Sequence, residues 1–288
     1  MTFHITVNLD EISDKLDDSL KFLNRLSIKS CELRMINTKN IIQLSDAELI
    51  NLKERLQKYN ITPISIASPL FKWNIEENHL ESNLDLYGIS ANVTLNEQWL
   101  YVRKIIFIAK FLNIKYVRIF GGIGCSVDDF LNNELFLNLL KETEIIFLIE
   151  NELGTSVSTA DDLLKIGHFI DEKSIKNLKI WFDIANYYIV EPQVDKVIPK
   201  LKKYIYYIHC KNYVNNDLGI HYVELGKGII DYKTIIHEIH EHFIDLIFSL
   251  EVHEKEIDKK AEVVRKSYLT LNEYLIHILN SRGIRVNW

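Results

Sequence analysis

Cysteine, glycine and proline are all scarce in this chain, and each shortage removes a class of structure. Cys31, Cys125 and Cys210 stand far apart, with no Cys-x-x-Cys pair. Sparse thiols of this kind suit a reducing compartment and exclude a disulfide framework. Ten glycines and four prolines in 288 residues exclude collagen-like and low-complexity chains. No run of 18 uncharged apolar residues is present, so a membrane span is not expected. Asp10, Glu11, Asp14, Asp17 and Asp18 crowd the first twenty residues, which is wrong for a secretory or transit leader. A cytoplasmic protein is the expectation. Basic excess is missing as well: 34 Lys+Arg against 40 Asp+Glu give a formal net charge of −6. Nucleic-acid affinity rests on clustered Lys and Arg, so a nucleic-acid partner is not expected.

What is present is a large apolar fraction, 47%, arranged as an alternation. Short runs rich in Ile, Val, Phe and Tyr occupy Phe3–Leu9, Lys29–Met35, Thr62–Ala67, Lys115–Phe120, Glu144–Glu150, Leu178–Asp183, Tyr204–His209 and Ile244–Glu251. Each reads as a strand, and most lack apolar/polar alternation, as strands buried on both faces do. Amphipathic stretches lie between them. Asp10–Leu26 has Ile12, Leu16, Leu20 and Leu23 at helical spacing, and Ser45 with Glu48 forms a capping box. Further helices are expected over Asn96–Leu112, after a Ser158 or Thr159 cap, over Val194–Lys203 behind Pro192, over Tyr232–His242 and over Lys259–Leu279. Only Val127–Glu142 reads as weak. Length alone would allow two domains, but eight consecutive strand–helix units without a linker predict an α/β fold made of a single (β/α)8 TIM barrel over 1–288. A doubly wound sheet is disfavoured, because the first turn, Asn8-Leu9-Asp10-Glu11, has no glycine.

Barrel chemistry sits at the C-terminal ends of strands. Strands five to eight close on Glu150, Asp183, His209 and Glu251. Asp, Glu and His are 50 of the 288 residues, so four successive ends of this kind exceed chance. Three carboxylates converging on a barrel mouth would repel one another unless a cation joined them. With an imidazole they form a donor set for one divalent ion: Mn²⁺ foremost, or Mg²⁺, Co²⁺ or Zn²⁺.

The chain resembles the xylose-isomerase-like TIM-barrel superfamily of sugar and sugar-phosphate isomerases and epimerases. The resemblance rests on Glu-Leu-Arg at 32–34, Ile-Ala-Ser-Pro at 66–69, Val-Arg-Ile-Phe-Gly-Gly at 117–122 and Ile-Glu-Asn-Glu at 149–152. It continues through Phe-Asp-Ile-Ala-Asn at 182–186, Ile-His-Cys-Lys at 208–211, Leu-Gly-Lys-Gly-Ile-Ile-Asp at 225–231 and Leu-Glu-Val-His at 250–253. It implies one metal on Glu150, Asp183, His209 and Glu251. It also implies proton transfer through a cis-enediolate, with Glu150 and Glu251 on opposite faces of the substrate. Members of the group that epimerise free ketoses usually carry His three residues after the metal Asp and Arg six after the metal His. Here Asn186 and Asn215 stand there, which puts a simple ketohexose 3-epimerase in doubt.

Candidate substrate contacts are Lys72, Trp73, Arg118, Asn186, Lys211 and His253. Arg34 and Arg118, ending strands two and four, suit either an anionic substrate group or a structural salt bridge, with Glu32 an obvious partner. Glu152 reads as a neighbour of the metal ligands or as a solvated side chain. Gly226-Lys227-Gly228 could cradle a phosphate, although a plain turn fits a lone Gly-x-Gly better. The long segment 68–95 is expected to be a lid, with Phe71, Lys72 and Trp73 touching substrate. The expected partner is a small sugar or sugar phosphate, and a homo-oligomer (dimer or tetramer) is compatible. Four functions compete: a sugar isomerase or epimerase, a metal-dependent dehydratase of a keto-sugar or keto-inositol, an abasic-site nuclease, and a non-catalytic sugar-binding barrel. The nuclease would need extra histidines where this chain has Glu32, Arg34, Ser68, Ala185 and Asn186.

Overall fold

The eight apolar runs become eight parallel strands. A computed structural model describes residues 2–75, 87–90, 92–240 and 245–281. In it the strands are β1 (Thr2–Val7), β2 (Ser30–Leu33), β3 (Thr62–Ile66), β4 (Tyr116–Ile119), β5 (Ile146–Glu150), β6 (Leu178–Asp183), β7 (Ile205–Cys210) and β8 (Asp245–Leu250). They follow chain order around one sheet, with β8 pairing β1 over six residues. A parallel bridge between Asn8 and Glu32 nearly closes the ring. The result is a TIM barrel. No helix of the described residues is long and apolar enough to cross a membrane.

Helix starts follow side-chain caps. Ser45 and Glu48 cap α2 (Asp46–Tyr59), Thr94 and Glu97 cap α3 (Leu95–Phe111), and Thr159 and Asp162 cap α6 (Ala160–Glu172). Each such cap contributes about 1 kcal/mol. Three stretches depart from the sequence expectation. The first helix is shorter, α1 (Leu16–Arg25), because the preceding Leu9–Glu11 forms a separate 3-10 turn whose acids are held by Arg34. The weak segment is two helices, α4 (Val127–Leu131) and α5 (Glu134–Glu142). They break at Asn132–Asn133, where Asn133 caps the second. An unexpected short helix, α7 (Ile184–Val190), starts directly on Asp183. Pro192 falls between it and α8 (Val194–Leu201). The chain continues with α9 (Tyr232–His240) and α10 (Ile257–Ser281).

Side-chain parity divides the barrel into two environments. Phe147, Ile149, Phe182, Ile208 and Phe248 point outward into the main core under the helices, and Ala67, Leu148, Trp181, Tyr207 and Ile247 fill a smaller inner cluster. The Trp181 and Tyr207 rings lie 3.7 Å apart there. Above this apolar floor the inward positions turn polar.

Segment 68–95 sends two of its aromatics into the core. Phe71 and Trp73 are fully buried. Phe71 packs on Phe130 and Phe136 at 5.5 and 5.9 Å, and Trp73 on Tyr101 at 6.2 Å. Their apolar rings are taken up by α3, α4 and α5, so they serve as core, and Trp73 lies among core aromatics. Residues 76–86, including His79, Leu84 and Leu86, lie outside the described residues.

After β7 the chain forms an unanticipated hairpin, Asn212–Asn216 paired with Gly219–Val223. Asn212 fastens its base. Its Nδ2 donates to Leu225 O (2.7 Å) and Ile230 O (2.9 Å), and its Oδ1 accepts from Tyr213 N and Ile230 N. Gly228 lies so close that a Cβ there would sit 2.0 Å from Asn212 Oδ1. The Gly-x-Gly is therefore a tight turn around this asparagine. Gly228→Ala is expected to lower stability by about 1–3 kcal/mol through overpacking while leaving metal affinity unchanged. Urea unfolding checks this, and an unaltered midpoint would contradict the close packing.

Candidate metal centre

Glu150 ends β5, Asp183 ends β6, His209 is the penultimate residue of β7 and Glu251 follows β8. All four are buried, and one ligand atom from each lies within 4.8 Å of the others. Register explains part of this convergence, since Asp183, His209 and Ser249 are cross-strand partners facing the same side. His209 Nδ1 lies 2.6 Å from Glu150 Oε1, 3.3 Å from Glu251 Oε2 and 3.7 Å from Asp183 Oδ2. Asp183 has divided duties. Its Oδ1 accepts from Asn186 N at 2.8 Å and so caps α7, while Asn151 grips its backbone on both sides. Its Oδ2 has no hydrogen-bond partner of good geometry and faces the Lys211 ammonium at 2.8 Å.

This donor set fits a divalent cation. Carboxylate and imidazole donors suit borderline to hard ions, and Asp183 Oδ2 offers a buried oxygen already aimed at the cluster. The second nitrogen of His209 is also fixed: Nε2 lies 3.1 Å from Glu32 Oε1, and Tyr207 donates its hydroxyl to Glu32 Oε2 at 2.7 Å. A carboxylate behind a ligating histidine sets its tautomer and raises its basicity. Burial disfavours the imidazolium, but Glu251, Glu32 and Glu150 outweigh it and hold the His209 pKa well above its usual value. Burial raises the Asp183 carboxyl to about 6 despite the neighbouring Lys211. Without a cation, protons therefore take part in neutralising the cluster.

The sequence-selected cations are all here, and all are engaged. Arg34 pairs with Asp10 and Glu11, each at 2.6 Å, and with Glu251. Its partner is thus not Glu32, which faces His209 instead. Tyr87 lies under Arg34, its hydroxyl 3.0 Å from Nη1 and its ring 4.2 Å from the guanidinium carbon. Arg118 donates to Glu150 at 2.9 Å and to the backbone oxygens of Ala67 and Ser68. Lys211 lies 2.8 Å from Asp183 and 3.1 Å from Glu251. Lys72 is 3.5 Å from Glu152, which also accepts from Asn186 Nδ2 at 3.1 Å. Glu152 is accordingly paired, and Asn186 is bound to neighbouring chain.

A cavity of about 380 Å³ has Arg34, Tyr87, Tyr222 and His253 among its walls, and two of these, Arg34 and His253, contact Glu251. Tyr222 reaches it from the hairpin. His253 stands in the left-handed backbone region (φ 53°), where strain of this kind gathers at functional sites. Its N–H donates to Glu11 Oε2 at 2.7 Å, its Nε2 is 3.1 Å from Glu251 Oε2, and its ring lies 5.0 Å from that of Tyr222. Glu11, Tyr87 and Tyr222 were not found from the sequence, and Glu32 was assigned the wrong partner. Only Glu32 carried a usable signal, since it shares strand parity with Arg34.

Two outcomes test this centre. Cation binding must displace the His209 proton near neutrality and the Asp183 proton at lower pH. Mn²⁺ affinity should thus fall about tenfold per pH unit near neutrality and more steeply below about pH 6. Competition titration with a metal indicator measures this, and a pH-independent affinity would contradict it. Glu32→Gln should weaken Mn²⁺ binding by about 10–100-fold. Wild-type affinity in that variant would refute the role given to Glu32.

Comparison with known proteins adds the family. No curated protein matches the sequence. Among solved structures, the IOLI protein with a bound zinc atom has a TM-score of 0.71 at 16% identity, covering 96% of this chain and 98% of its own. The D-allulose 3-epimerase of Methylomonas sp., in complex with D-allulose, has a TM-score of 0.69 at 13% identity, covering 94% and 97%. The probable 3-DHS dehydratase AsbF of Bacillus anthracis has a TM-score of 0.67 at 17% identity, covering 93% and 99%. At these identities the likeness is one of fold. A family model does match residues 20–273, and the chain belongs to the xylose isomerase-like TIM-barrel family.

Proposed function

We propose that the protein is a divalent-metal-dependent sugar isomerase or epimerase, moving a proton next to a ketone through a cis-enediolate. The observation that carries this is the convergence of Glu150, Asp183, His209 and Glu251 at the barrel mouth, where Glu251 contacts two cavity-lining residues, Arg34 and His253. A cation held there would polarise the carbonyl and stabilise developing negative charge on the substrate oxygens. The chain's own residues have separate tasks. Glu251 removes the proton, since it is oriented by Arg34, Lys211 and His253, of which Arg34 and His253 line the cavity. Glu150, fixed by Arg118 and His209, delivers a proton from the other side. Lys211, buried between Asp183 and Glu251, is placed to donate to a substrate oxygen. Arg118 and Lys72 act by holding Glu150 and Glu152, and Asn186 by tying α7 to that same Glu152.

A dehydratase is the second reading. It is favoured by His253, an imidazole 3.1 Å from Glu251 that is 26% exposed and lines the cavity, where a departing β-hydroxyl would need a partner. The test is incubation of the Mn²⁺-loaded protein with ketoses, aldoses, their phosphates and keto-inositols in D₂O, followed by NMR. Deuterium uptake next to a carbonyl, reduced at least about 100-fold in Glu150→Gln and Glu251→Gln, supports the isomerase reading. A new conjugated C=C with loss of water supports the dehydratase. No exchange with any member despite stoichiometric metal would refute both and favour a sugar-binding barrel.

A further inference from the structure

The charges around the metal centre restrict what substrate can enter. Four cations, Arg34, Lys72, Arg118 and Lys211, surround the mouth, and each is within ion-pair distance of at least one carboxylate. The acids held in the same network, namely the three metal-ligand carboxylates with Asp10, Glu11, Glu32 and Glu152, number seven. Counted formally, with the histidines neutral, the network keeps three negative charges in excess. A divalent cation would reduce the excess to one without reversing it.

Arg34 shows why its charge is not open to a ligand. Its guanidinium is about 3% exposed and meets Asp10, Glu11 and Glu251 together, while Tyr87 covers one face. Turning it toward an incoming anion would leave two or three buried carboxylates uncompensated, which low-dielectric surroundings penalise heavily. Arg118 is equally committed, with its remaining N–H groups on the backbone oxygens of Ala67 and Ser68. Lys260, on the cavity wall, is held by Asp10 O and Asp14. Among the described cavity-lining residues, Lys255 is the one cation without a carboxylate partner, and it is exposed, where water and salt screen it.

We infer that the substrate is an uncharged polyhydroxy ketone or aldose and that phosphorylated or carboxylated sugars are disfavoured. This inference rests on the sugar-isomerase reading above and narrows it. The Tyr222 and His253 rings on the cavity wall suit the C–H face and hydroxyl groups of a neutral sugar, whereas a phosphate would add two negative charges to an acidic mouth.

The experiment compares D-fructose, D-ribulose and D-xylulose with their phosphate esters on the Mn²⁺-loaded protein. Deuterium exchange in D₂O is one readout, and the ligand-induced shift in unfolding temperature is another. Each free sugar that exchanges should do so on the order of 100-fold faster than its ester. Free sugars should raise the unfolding temperature more than their esters or inorganic phosphate do. Lys255→Ala should leave these preferences intact. Faster exchange with an ester, or stabilisation by inorganic phosphate matching that by free sugar, would overturn the inference. If no compound exchanges, the isomerase reading fails separately, and the unfolding shifts still decide the charge preference: only a larger shift with free sugar than with its ester keeps it.

Discussion

Mutual repulsion among Glu150, Asp183 and Glu251 is the constraint on which the barrel mouth depends. Carboxylates whose oxygens lie within 4.8 Å and are shielded from water cannot all remain charged without compensation. The fold supplies it from three inward positions on or just after other strands: Arg34 after β2, Arg118 in β4 and Lys211 after β7. The imidazole of His209 completes the balance from within the cluster. Because each cation touches more than one acceptor, the centre is a connected ionic network, and its members cannot be assigned separate energies.

This network explains the contrast between the two halves of the barrel interior. Trp181, Tyr207 and Leu148 form a dry floor that lowers the local dielectric beneath the acids, which strengthens attractions and repulsions alike. Glu32 sits between floor and mouth, tying the hydroxyl of Tyr207 to the imidazole of His209. Packing beneath the site and the tautomer of His209 are joined through one buried carboxylate.

The parts legible in the sequence were those set by short-range rules. β-rich apolar runs gave all eight strands, and the residue closing each of the last four gave the buried cluster of Glu150, Asp183, His209 and Glu251. Ser45–Glu48 announced its helix because capping is local. Partners that depend on ring closure were not legible. Arg34 finds Asp10 and Glu11 because the loop after β1 comes beside the end of β2, and nothing in the spacing distinguishes that choice from Glu32, two residues away. Tyr222 arrives on a hairpin whose turn, Asn216-Asp217-Leu218-Gly219, is local, but nothing in that turn says that the hairpin folds back onto the mouth. The burial of Trp73 was not legible either, because an aromatic in a long loop reads as a lid when the helices that will cover it are not yet placed in space. In Asp183, the same carboxylate closes a strand and opens α7, so the strand ending hid the helix start.

Asp183 also limits how the centre can bind. With Oδ1 committed to the first turn of α7, it can present a single oxygen to an ion, in a direction fixed by the helix. A glutamate there would keep the charge but add a methylene and release that anchor. The direction in which Asp183 offers its free oxygen and the placement of α7 are therefore one linked property, and neither can change without altering the other.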